Sequence, residues 1–588
     1  MLNNKRTKIV CTIGPASEKK EVFTELVKNG LNVARLNFSH GSHEEHLARI
    51  NMIKEVREEL KAPIAILLDT KGPEIRTGKF SVPVVKLEIG DMFTLTTEDI
   101  LGDEKKCSIS YKELPKDVKK GNRILIDDGL VELEVQEIID NKEILCKVNN
   151  GGEIKNNKGV NVPGVKINLP AITQKDIDDI KFGIENGIDF IAASFIRKVD
   201  DVLQIRKILE ENNGTDIQII SKIENQEGVD NLDDIINISD GIMVARGDLG
   251  VEIPTETMPI VQKTMIRKCN EARKVVITAT QMLDSMIRNP RPTRAETTDV
   301  ANAIFDGTDA IMLSGETAAG SYPIEAVRTM STIARATEEQ LNYKKIISDK
   351  SNHSMNNVTY AISHATVWTA YDLNASAIIT ATHSGYTAKN ISNLRPKSSI
   401  IAATVSESVR RKLALWWGVE SIIVKDMAST EEMFDNVVER VKEEGYIEDG
   451  EMVIITAGVP IGMGGTTNIL KAHLVGEILL KGLGIGKKSI TSKVCICKDA
   501  DEANSKLNEG DILVVKSTDA DMMDAIKKAS ALIVEEGGFT SHAAIVSLNL
   551  NIPVVVGAKD AVTILKNVDT VTLDSERGIV YGAKSRLN

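Results

Sequence analysis

Eight short apolar runs, seven of them ending in polar residues, constrain the fold of this chain more than any other sequence feature. Residues 217–224, reading Ile-Gln-Ile-Ile-Ser-Lys-Ile-Glu, are typical of a strand buried on both faces of a parallel sheet. Amphipathic helical segments separate the runs, so the pattern predicts strand–helix units. The runs are residues 8–14, 33–39, 64–70, 190–195, 217–224, 241–248, 274–281 and 310–316.

This series predicts an α/β protein with a (β/α)8 barrel that is interrupted after its third strand. The catalytic barrel would comprise residues 1–71 and 170–340. Residues 72–169 carry short Val, Ile and Leu runs with Gly-Asp and Asp-Asp-Gly turns, which predict an inserted all-β domain. An open doubly wound sheet is the alternative fold, but no glycine-rich dinucleotide-binding turn follows the first run.

The C-terminal part of the chain predicts two further α/β units. Residues 341–475 contain four strand-like segments and are expected to form a second α/β domain, whereas residues 494–588 are rich in Val and Ile with glycine turns. Residues 476–493 between them are predicted to be a linker. The spacing of Gly482, Gly484 and Gly486 in that linker resembles a nucleotide-binding fingerprint only superficially.

Composition excludes several classes of function. The formal net charge of −12 argues against broad nucleic-acid binding, and it means that an anionic substrate needs a locally basic pocket. No apolar run could span a membrane and the N-terminus lacks a signal-peptide core, so we expect a cytoplasmic protein without a membrane partner. Cys495 and Cys497 have no second Cys or His pair nearby, which predicts reduced thiols and no zinc site.

Polar residues follow most of the predicted strands at the end where a strand–helix barrel carries its active site. Lys222 and Glu224 are two residues apart, so they leave the same face of an extended strand. One such pair could be a structural ion pair, but the recurrence in seven strands indicates a functional site. These strand ends carry Arg35, Asn37, Ser39, Asp69, Thr70, Ser194, Lys222, Glu224, Arg246, Asp248, Thr278, Thr280, Gln281, Ser314 and Glu316.

The residue types at these ends predict two kinds of cation site. Glu224 and Asp248 are hard oxygen donors, which suit Mg²⁺ or Mn²⁺ held by few carboxylates together with substrate oxygens. A second group of strand-end residues offers mostly neutral oxygen ligands with a single carboxylate. This low negative charge suits a monovalent cation better than a divalent one. Its members are Asn37, Ser39, Asp69 and Thr70.

The cationic residues predict a phosphorylated substrate. Arg35 and Arg76 offer guanidinium forks and Lys222 a point charge, and both suit phosphate oxygens. If a short helix starts at Gly247 and Asp248, its free amides can hold a carboxylate. A substrate with phosphate and carboxylate, a divalent metal and a lysine together indicate phosphoryl transfer from an enol phosphate.

Six segments of the sequence resemble signatures of the pyruvate kinase family, over essentially residues 1–475. The resemblance rests on Arg35-Leu-Asn-Phe-Ser-His-Gly41, Leu68-Asp-Thr-Lys-Gly-Pro-Glu-Ile-Arg-Thr-Gly78, Ser221-Lys-Ile-Glu-Asn225, Val244-Ala-Arg-Gly-Asp-Leu-Gly250, Ala279-Thr-Gln-Met-Leu283 and Leu313-Ser-Gly-Glu-Thr317. It implies transfer of a phosphoryl group from phosphoenolpyruvate to ADP, giving pyruvate and ATP in glycolysis. It also implies a homotetramer that depends on Mg²⁺ (or Mn²⁺) and K⁺ and is regulated by a phosphorylated effector.

The same resemblance implies that residues 72–169 form a lid domain and residues 341–475 an effector-binding domain, and it implies roles for individual residues. It assigns catalysis to Lys222, Thr280 and Arg35; substrate binding to Arg35, Gly247, Asp248 and Thr280; nucleotide binding to Arg76, Lys158, Asn37 and His40; Mg²⁺ to Glu224 and Asp248; and K⁺ to Asn37, Ser39, Asp69 and Thr70. Glu74 resembles the glutamate of the K⁺-dependent members, where K⁺-independent members carry lysine.

Two C-terminal segments also resemble known sites. Thr380-Ala-Thr-His-Ser-Gly-Tyr-Thr-Ala-Lys389 resembles the family's effector loop, with residues 458–467 expected to close over the ligand. The effector-binding residues would be Thr382, Ser384, Gly385 and Thr387. Residues 535–546 resemble the phosphohistidine segment of phosphoenolpyruvate-utilising enzymes. Ser547-Leu548 departs from the usual Ala-Arg there, which favours a structural or regulatory role for His542 over phosphotransfer.

Two other functions stay open at the level of sequence. A metal-dependent barrel that acts on enolates as an aldolase or lyase would use similar residues, but it would not make ATP. A catalytically silent phosphate-sensing scaffold is the second alternative. The presence of Lys222, Glu224, Asp248 and Thr280 speaks against such a scaffold.

Overall fold

The computed structural model describes residues 5–351, 357–425, 429–459, 467–476 and 478–582. The chain divides into two compact units, Met1–His364 with Thr382–Asp426, and Ala365–Ala381 with Met427–Asn588. Within the described ranges, no helix is long and apolar enough to cross a membrane.

The first unit begins with three buried strands and two amphipathic helices. Phe23, Leu26 and Val27 are buried on one face of the first helix, as a 3.6-residue period requires. Ser42 and Glu45 form a capping box that starts the second helix. These elements are β1 (Lys8–Thr12), α1 (Lys20–Lys28), β2 (Val33–Asn37), α2 (His43–Leu60) and β3 (Ala65–Asp69).

An all-β segment follows the third strand and has its own apolar core, which includes the fully buried Phe93, Leu133 and Val148. It contains a six-stranded and a two-stranded sheet with one short helix. The elements are β4 (Val85–Leu87), β5 (Met92–Thr96), β6 (Lys106–Ser108), α3 (Leu114–Asp117), β7 (Arg123–Ile126), β8 (Val131–Ile139), β9 (Glu143–Asn150), β10 (Gly152–Ile154) and β11 (Val160–Asn161).

Strand–helix alternation then resumes and completes the barrel. The elements are α4 (Gln174–Glu185), β12 (Phe190–Ala193), α5 (Val199–Glu211), β13 (Gln218–Ile223), α6 (Gln226–Asp230), α7 (Leu232–Ile238), β14 (Gly241–Ala245), α8 (Arg246–Glu252), α9 (Met258–Ala272), β15 (Val275–Ala279), α10 (Arg294–Phe305), β16 (Ala310–Leu313), α11 (Gly315–Ala318) and α12 (Pro323–Glu338).

The eight barrel strands are parallel and close in the order β1-β16-β15-β14-β13-β12-β3-β2. Lys8 of β1 is in register with Ala310 of β16, and Phe190 of β12 with Leu67 of β3, so the lid is inserted between two neighbouring strands. The predicted (β/α)8 barrel with an all-β insertion after its third strand is therefore confirmed.

The following segment is also α/β, as predicted. In the first unit β18 pairs in parallel with β19, and in the second β20 pairs in parallel with β17 and antiparallel with β21. The elements are α13 (Tyr343–Ser351), α14 (Val358–Asp372), β17 (Ala377–Ala381), α15 (Tyr386–Asn393), β18 (Ser399–Thr404), α16 (Glu407–Lys412), β19 (Val419–Ile423), α17 (Thr430–Glu443), β20 (Met452–Ala457) and β21 (Ile469–Leu474).

The last part of the second unit contains an eight-stranded sheet in the order β22-β29-β28-β24-β25-β26-β27-β23. Helices accompany its strands, which confirms the additional small α/β domain. The elements are β22 (Ile478–Lys481), β23 (Leu483–Ile485), β24 (Ser489–Ile496), α18 (Ala500–Lys506), β25 (Ile512–Val515), α19 (Met523–Lys528), β26 (Ala531–Val534), α20 (His542–Leu550), β27 (Val554–Val556), α21 (Ala561–Ile564), β28 (Thr570–Asp574) and β29 (Ile579–Gly582).

The prediction that residues 476–493 form a linker is wrong, because this segment contains β22, β23 and the start of β24. Leu480 and Ile485 are buried there. The glycines allow close backbone packing: a Cβ on Gly482 would lie 2.5 Å from the Val556 carbonyl oxygen, and one on Gly484 2.0 Å from that of Ser575. The glycine spacing therefore reflects strand packing in this sheet. The other domain boundaries stay predictions.

Candidate active site

Lys222 lies at the centre of a polar cluster at the carboxyl ends of the barrel strands. Its Nζ lies 2.9 Å from Glu224 Oε1 and donates to Asp69 Oδ1 at 3.1 Å and Ser194 Oγ at 2.8 Å. The side chain is 11% exposed and both carboxylates are 1% exposed. The predicted common face of Lys222 and Glu224 is thus confirmed, with partners from β3 and the end of β12.

Arg35 joins the same cluster from β2. Its Nε donates to Asp69 Oδ2 at 2.6 Å, and its Nη1 donates to Thr12 Oγ1 at 2.8 Å. Asp69 therefore accepts hydrogen bonds from an arginine through one oxygen and from a lysine through the other. This carboxylate fixes the position of two cations that face a candidate phosphate site.

Charges in the cluster shift the pKa values of its members. Burial alone would lower the pKa of Lys222, but the carboxylates of Asp69 and Glu224 raise it above its ordinary value. Burial alone would raise the pKa of Asp69, but Arg35 and Lys222 outweigh it and lower that pKa. Burial raises the pKa of Glu224 against the opposing charge of Lys222. Both carboxylates therefore favour the charged form of Lys222.

The strand register brings together the residues that were predicted to bind K⁺. Asn37 of β2 is in register with Asp69 of β3, and Thr70 follows Asp69 directly. The Asn37 side-chain oxygen accepts a hydrogen bond from the Ser39 amide at 3.1 Å. The Thr70 hydroxyl accepts from the Ser194 amide at 3.1 Å. The set offers neutral oxygens beside one carboxylate.

A short helix, α8, begins directly after β14, as the sequence predicted. Gly247 and Asp248 lie in its first turn, where backbone amides have no acceptor within the helix. Thr280, at the end of β15, lies against this turn, because a Cβ on Gly247 would be 2.7 Å from Thr280 Cγ2. Gly247, Asp248 and Thr280, which were predicted to hold a substrate carboxylate, therefore lie next to one another.

A cleft of about 640 Å³ is lined by the barrel ends and the lid. Glu224 and Asp248 line it together with the two cations that were predicted to bind nucleotide. Arg76 Nε donates to Glu74 Oε2 at 2.7 Å, and Lys158 Nζ donates to Asp127 Oδ1 at 2.9 Å. Each predicted nucleotide cation is thus neutralised by a carboxylate of its own chain.

A neighbouring cavity of about 510 Å³ contains the remaining predicted nucleotide residue. His40 and Ser39 line it together with Arg76 and Asn157. Arg76 lines both cavities, so the two are adjacent. The imidazole of His40 therefore borders the same space as the guanidinium group.

The donor set in the cleft fits a divalent cation that is also bound by a substrate. Among the described residues, no group of three or more His, Cys, Asp and Glu side chains is arranged to hold a metal by itself. Glu224 and Asp248 supply two carboxylates, and burial together with Asp248 raises the pKa of nearby Asp128. Crowded carboxylates beside a phosphate site favour an oxygen-bound Mg²⁺ that completes its shell with substrate oxygens.

Some polar strand ends have structural contacts instead. Glu316 is 2% exposed and accepts hydrogen bonds from the amides of Leu283 and Ser314. Thr278 is buried, and its hydroxyl bonds that of Thr308. These contacts hold loops of the last two barrel strands together.

Sequence reasoning missed Thr12 and gave Ser194 and Arg246 no role beyond that of a polar strand end. Ser194 accepts from Lys222 and donates to the Thr70 carbonyl oxygen, whereas Thr12 accepts from Arg35. The polar end of β12 was the signal for Ser194, and the threonine that ends β1 was the signal for Thr12. Arg246 contacts the loop after β15 and carried no separate signal.

The predicted effector loop lies between β17 and α15, and its residues from Thr382 onward belong to the first unit. Thr382 Oγ1 accepts from the Gly385 amide at 3.0 Å, and Gly385 has a φ of 77°. Ser384 Oγ accepts from the Tyr386 amide at 3.4 Å, and Thr387 is 6% exposed. Of the predicted closing segment, residues 460–466 lie outside the described residues.

His542 is the first residue of α20 in the second unit, with Ser541 as the capping residue. Its Nδ1 lies 3.0 Å from Thr518 Oγ1. Since the other ring nitrogen has no hydrogen bond among the described residues, this contact orients the ring through Nδ1 alone. The preference for a structural or regulatory role stays a prediction.

Three family models match the chain. The model described as "Pyruvate kinase, barrel domain" matches residues 4–327, and "Pyruvate kinase, alpha/beta domain" matches residues 360–473. "PEP-utilising enzyme, mobile domain" matches residues 507–578.

Curated proteins and a solved structure are similar over long stretches. A pyruvate kinase of Bacillus licheniformis is 56% identical over 582 residues, 99% of each chain. One of Geobacillus stearothermophilus is 54% identical over 578 residues, 98% of each chain. The crystal structure of a pyruvate kinase from Cryptosporidium parvum matches with a TM-score of 0.77 at 43% identity, covering 80% of this chain and 97% of its own.

Proposed function

Because this chain belongs to the pyruvate kinase family and is a phosphotransferase, we propose that it moves a phosphoryl group from phosphoenolpyruvate to ADP. The products would be pyruvate and ATP, and the reaction would serve glycolysis. The observation that carries the proposal is the buried Lys222 ammonium between Asp69, Glu224 and Ser194.

Lys222 acts electrostatically in the proposed reaction. Its raised pKa keeps it protonated, so it stabilises negative charge on the transferring phosphoryl group and the enolate oxygen without giving up a proton. Asp69 and Arg35 hold the cluster in place from the neighbouring strands. Preorganised charge of this kind is favoured in a phosphoryl-transfer site, where positioning and electrostatic stabilisation supply most of the catalysis.

The two ends of phosphoenolpyruvate would bind at different elements. The amides of Gly247 and Asp248 at the start of α8, with the Thr280 hydroxyl, would hold the carboxylate. Arg35 and Lys222 would hold the phosphate. Since these groups come from separate strand ends of one barrel, the substrate would lie across the mouth of the barrel.

ADP would bind beneath the lid. Its phosphates would replace Glu74 beside Arg76 and Asp127 beside Lys158, because each carboxylate already occupies the position of an anion. His40 and Asn37 would contact the nucleotide from the barrel side. The preformed ion pairs support a site that is built for an anionic partner.

Glu224 and Asp248 would hold Mg²⁺ (or Mn²⁺), and Asn37, Ser39, Asp69 and Thr70 would hold K⁺. The divalent ion would polarise the phosphoryl oxygens and orient the two substrates, whereas K⁺ would add positive charge near the phosphate. The register of Asn37 with Asp69 supports the proposed K⁺ site, because it brings two of its ligands to neighbouring strands.

The direct test measures pyruvate formation from phosphoenolpyruvate and ADP with lactate dehydrogenase and NADH, with ATP measured separately. We expect turnover with Mg²⁺ and K⁺ present and equal amounts of ATP and pyruvate. Pyruvate formed without ATP would indicate that the phosphoryl group goes to water, and no turnover by folded protein would favour the lyase or the phosphate-sensing scaffold. Either result would overturn the proposal.

The proposed K⁺ dependence has its own test at matched ionic strength, with K⁺ replaced by a bulky organic cation. We expect turnover to fall strongly in that buffer and Glu74→Lys to restore it, because an ammonium group would supply the missing positive charge. Glu74→Gln is the matched control, since it also releases Arg76 but adds no cation. Full activity of the unaltered protein without K⁺ would contradict the proposed site.

We also propose regulation by a phosphorylated effector at Thr382, Ser384, Gly385 and Thr387. The loop has a helix start and two hydroxyl groups, but these hydroxyls accept from the loop's own amides. A calorimetric titration with AMP and with sugar phosphates, repeated on Ser384→Ala, tests the proposal. The absence of any heat signal that depends on Ser384 would exclude this loop.

The homotetramer and the cytoplasm are proposed from the family alone. Light scattering coupled to size-exclusion chromatography would measure the mass, with four chains of 64.1 kDa expected. All six cysteines are free thiols in the structure, which agrees with a reducing compartment. Fractionation of the source cells with detection of this chain would test the compartment.

A further inference from the structure

The peptide that follows β15 has an unfavourable backbone conformation. Thr280 has a φ of 73° and Gln281 a φ of 55°, so two consecutive non-glycine residues lie in the left-handed region. A β-branched residue such as threonine is especially disfavoured there, and the conformation persists only where the surroundings hold it. Thr280 is also the proposed partner of the substrate carboxylate. Contacts at the site must therefore stabilise the left-handed backbone of Thr280 and Gln281.

Arg246 makes the contacts that stabilise this backbone conformation. Its Nε donates to the carbonyl oxygen of Ala279 at 3.1 Å, and its Nη2 donates to that of Thr280 at 2.6 Å. Nη2 also lies 2.8 Å from Met282 Sδ. One guanidinium group thus binds the residues before, at and after the left-handed pair.

The guanidinium group is itself fixed. Its Nη1 lies 2.8 Å and 2.7 Å from the two carboxylate oxygens of Asp299 on α10, and the side chain is 13% exposed. Arg246 is also the first residue of α8, next to Gly247, which packs against Thr280. Helix α8, the β15 loop and α10 are therefore joined through a single planar group.

We propose that Arg246 is a positioning residue that holds the Thr280 hydroxyl in its reactive orientation. The inference rests on the proposed function, because it concerns the role of Thr280 in turnover. Arg246 acts through the backbone carbonyl oxygens of Ala279 and Thr280 and makes no contact with substrate. A single ammonium group could not reproduce these contacts, since only the guanidinium fork places several N–H donors in one plane.

The test is a double-mutant cycle with Arg246→Lys and Thr280→Ala, in which kcat and KM for phosphoenolpyruvate are measured separately. We expect Arg246→Lys to lower kcat/KM about 10- to 100-fold, because a displacement near 1 Å at a reacting group can cost that much. In the Thr280→Ala background the same substitution should cost less than about threefold, since the group it positions is gone. Full additivity of the two losses would overturn the proposal.

Arg267→Lys on α9 is the matched control, because that arginine is 59% exposed and its one ion-pair partner among the described residues is Glu271. It should leave both constants unchanged. Circular dichroism and thermal melting would show whether Arg246→Lys folds. If it does not, Asp299→Asn provides the second variant, since it weakens the orientation of the guanidinium group while leaving its backbone contacts.

Asp299→Asn should lower kcat/KM in the same direction and lose its effect in the Thr280→Ala background. An equal effect in both backgrounds would overturn the proposal. A failure of the proposed function is distinguishable, because the unaltered protein would then make no ATP. Turnover by the unaltered protein with an additive cycle would contradict the role of Arg246 alone.

Discussion

At the scale of single residues, the ammonium group of Lys222 carries the largest expected effect on turnover. Lys222→Met keeps the length of the side chain but leaves Asp69 and Glu224 without their shared cation. We expect kcat to fall by a factor that corresponds to about 3–4 kcal/mol, as for the loss of one preorganised donor. Steady-state kinetics measure it.

The control for that variant is Lys207→Met, since Lys207 is 74% exposed on α5 and lies 3.8 Å from Glu211. It should turn over normally. Near-normal turnover by folded Lys222→Met would remove Lys222 from its proposed role.

Gly247 gives a second prediction at the same scale. Gly247→Ala would place a Cβ 2.7 Å from Thr280 Cγ2, so the threonine must move and kcat/KM should fall about 10- to 100-fold. Thr280→Ser lacks that methyl group and keeps the hydroxyl. We therefore expect Gly247→Ala combined with Thr280→Ser to be more active than Gly247→Ala alone, as measured by kcat/KM. A double variant that is no better would show that the methyl contact is not responsible.

Sequence reasoning found the residues of the site but not their pairing. Lys222 and Glu224 were placed together correctly because their spacing in one strand fixes a common face. The contact of Asp69 with both Arg35 and Lys222 depends on the register of strands that are far apart in sequence. No local pattern determines that register before the barrel closes.

At the scale of elements, the start of α10 gives a stability prediction. The Glu296 carboxylate accepts hydrogen bonds from Thr293 and Ser285, joining the helix cap to the preceding 3-10 turn, Asp284–Ile287. Burial would raise the pKa of Glu296, but these hydrogen bonds lower it. Glu296→Gln should destabilise this helix end by about 1–2 kcal/mol at neutral pH, as for the loss of a cap.

The effect should depend on pH. Because the folded pKa lies below the unfolded one, the carboxylate contributes stability above the unfolded pKa and loses it as pH falls through the folded pKa. The difference between Glu296→Gln and the unaltered chain should thus shrink in acid. Hydrogen exchange of the amides at the start of α10 measures it locally, since a chain of several domains need not unfold in two states. A difference that is constant with pH would exclude the carboxylate as its source.

The glycine-rich segment at 482–486 shows where element prediction failed. Glycines at short intervals ordinarily indicate turns or linkers. In this chain Gly482 and Gly484 lie where two backbones approach too closely for any side chain. The partners, Val556 and Ser575, are more than 70 residues away in sequence, as their numbers show. The close backbone packing that requires glycine therefore cannot be predicted from the neighbouring sequence alone.

At the scale of the whole molecule, the proposed catalytic groups all belong to the first unit. The predicted barrel and its insertion could be derived from sequence because eight apolar runs alternate with helical segments and seven of them end in polar residues. The division of residues 365–588 could not be derived in the same way, since Ala365–Ala381 belongs to the second unit despite its distance in sequence from Met427. Units formed from separated segments leave no continuous signal.

The C-terminal sheet should be dispensable for catalysis. A chain that ends at Val475 keeps every proposed catalytic residue and stops before β22, whose buried Leu480 belongs to the removed sheet. We expect kcat for pyruvate formation to be unchanged within error.

Thermal stability should nevertheless fall in the shortened chain, because the sheet packs on the turn at Gly450. A Cβ there would lie 1.6 Å from Tyr581 Oη, so the tyrosine side chain packs directly on the backbone of this turn within the second unit. Removing Tyr581 exposes this turn and lowers the melting temperature of the remaining α/β segment. Calorimetry of both chains measures it, with the kcat of the shortened chain determined well below its melting temperature. A shortened chain that is well folded but inert would place the C-terminal sheet in the active site and contradict the assignment of catalysis to the first unit.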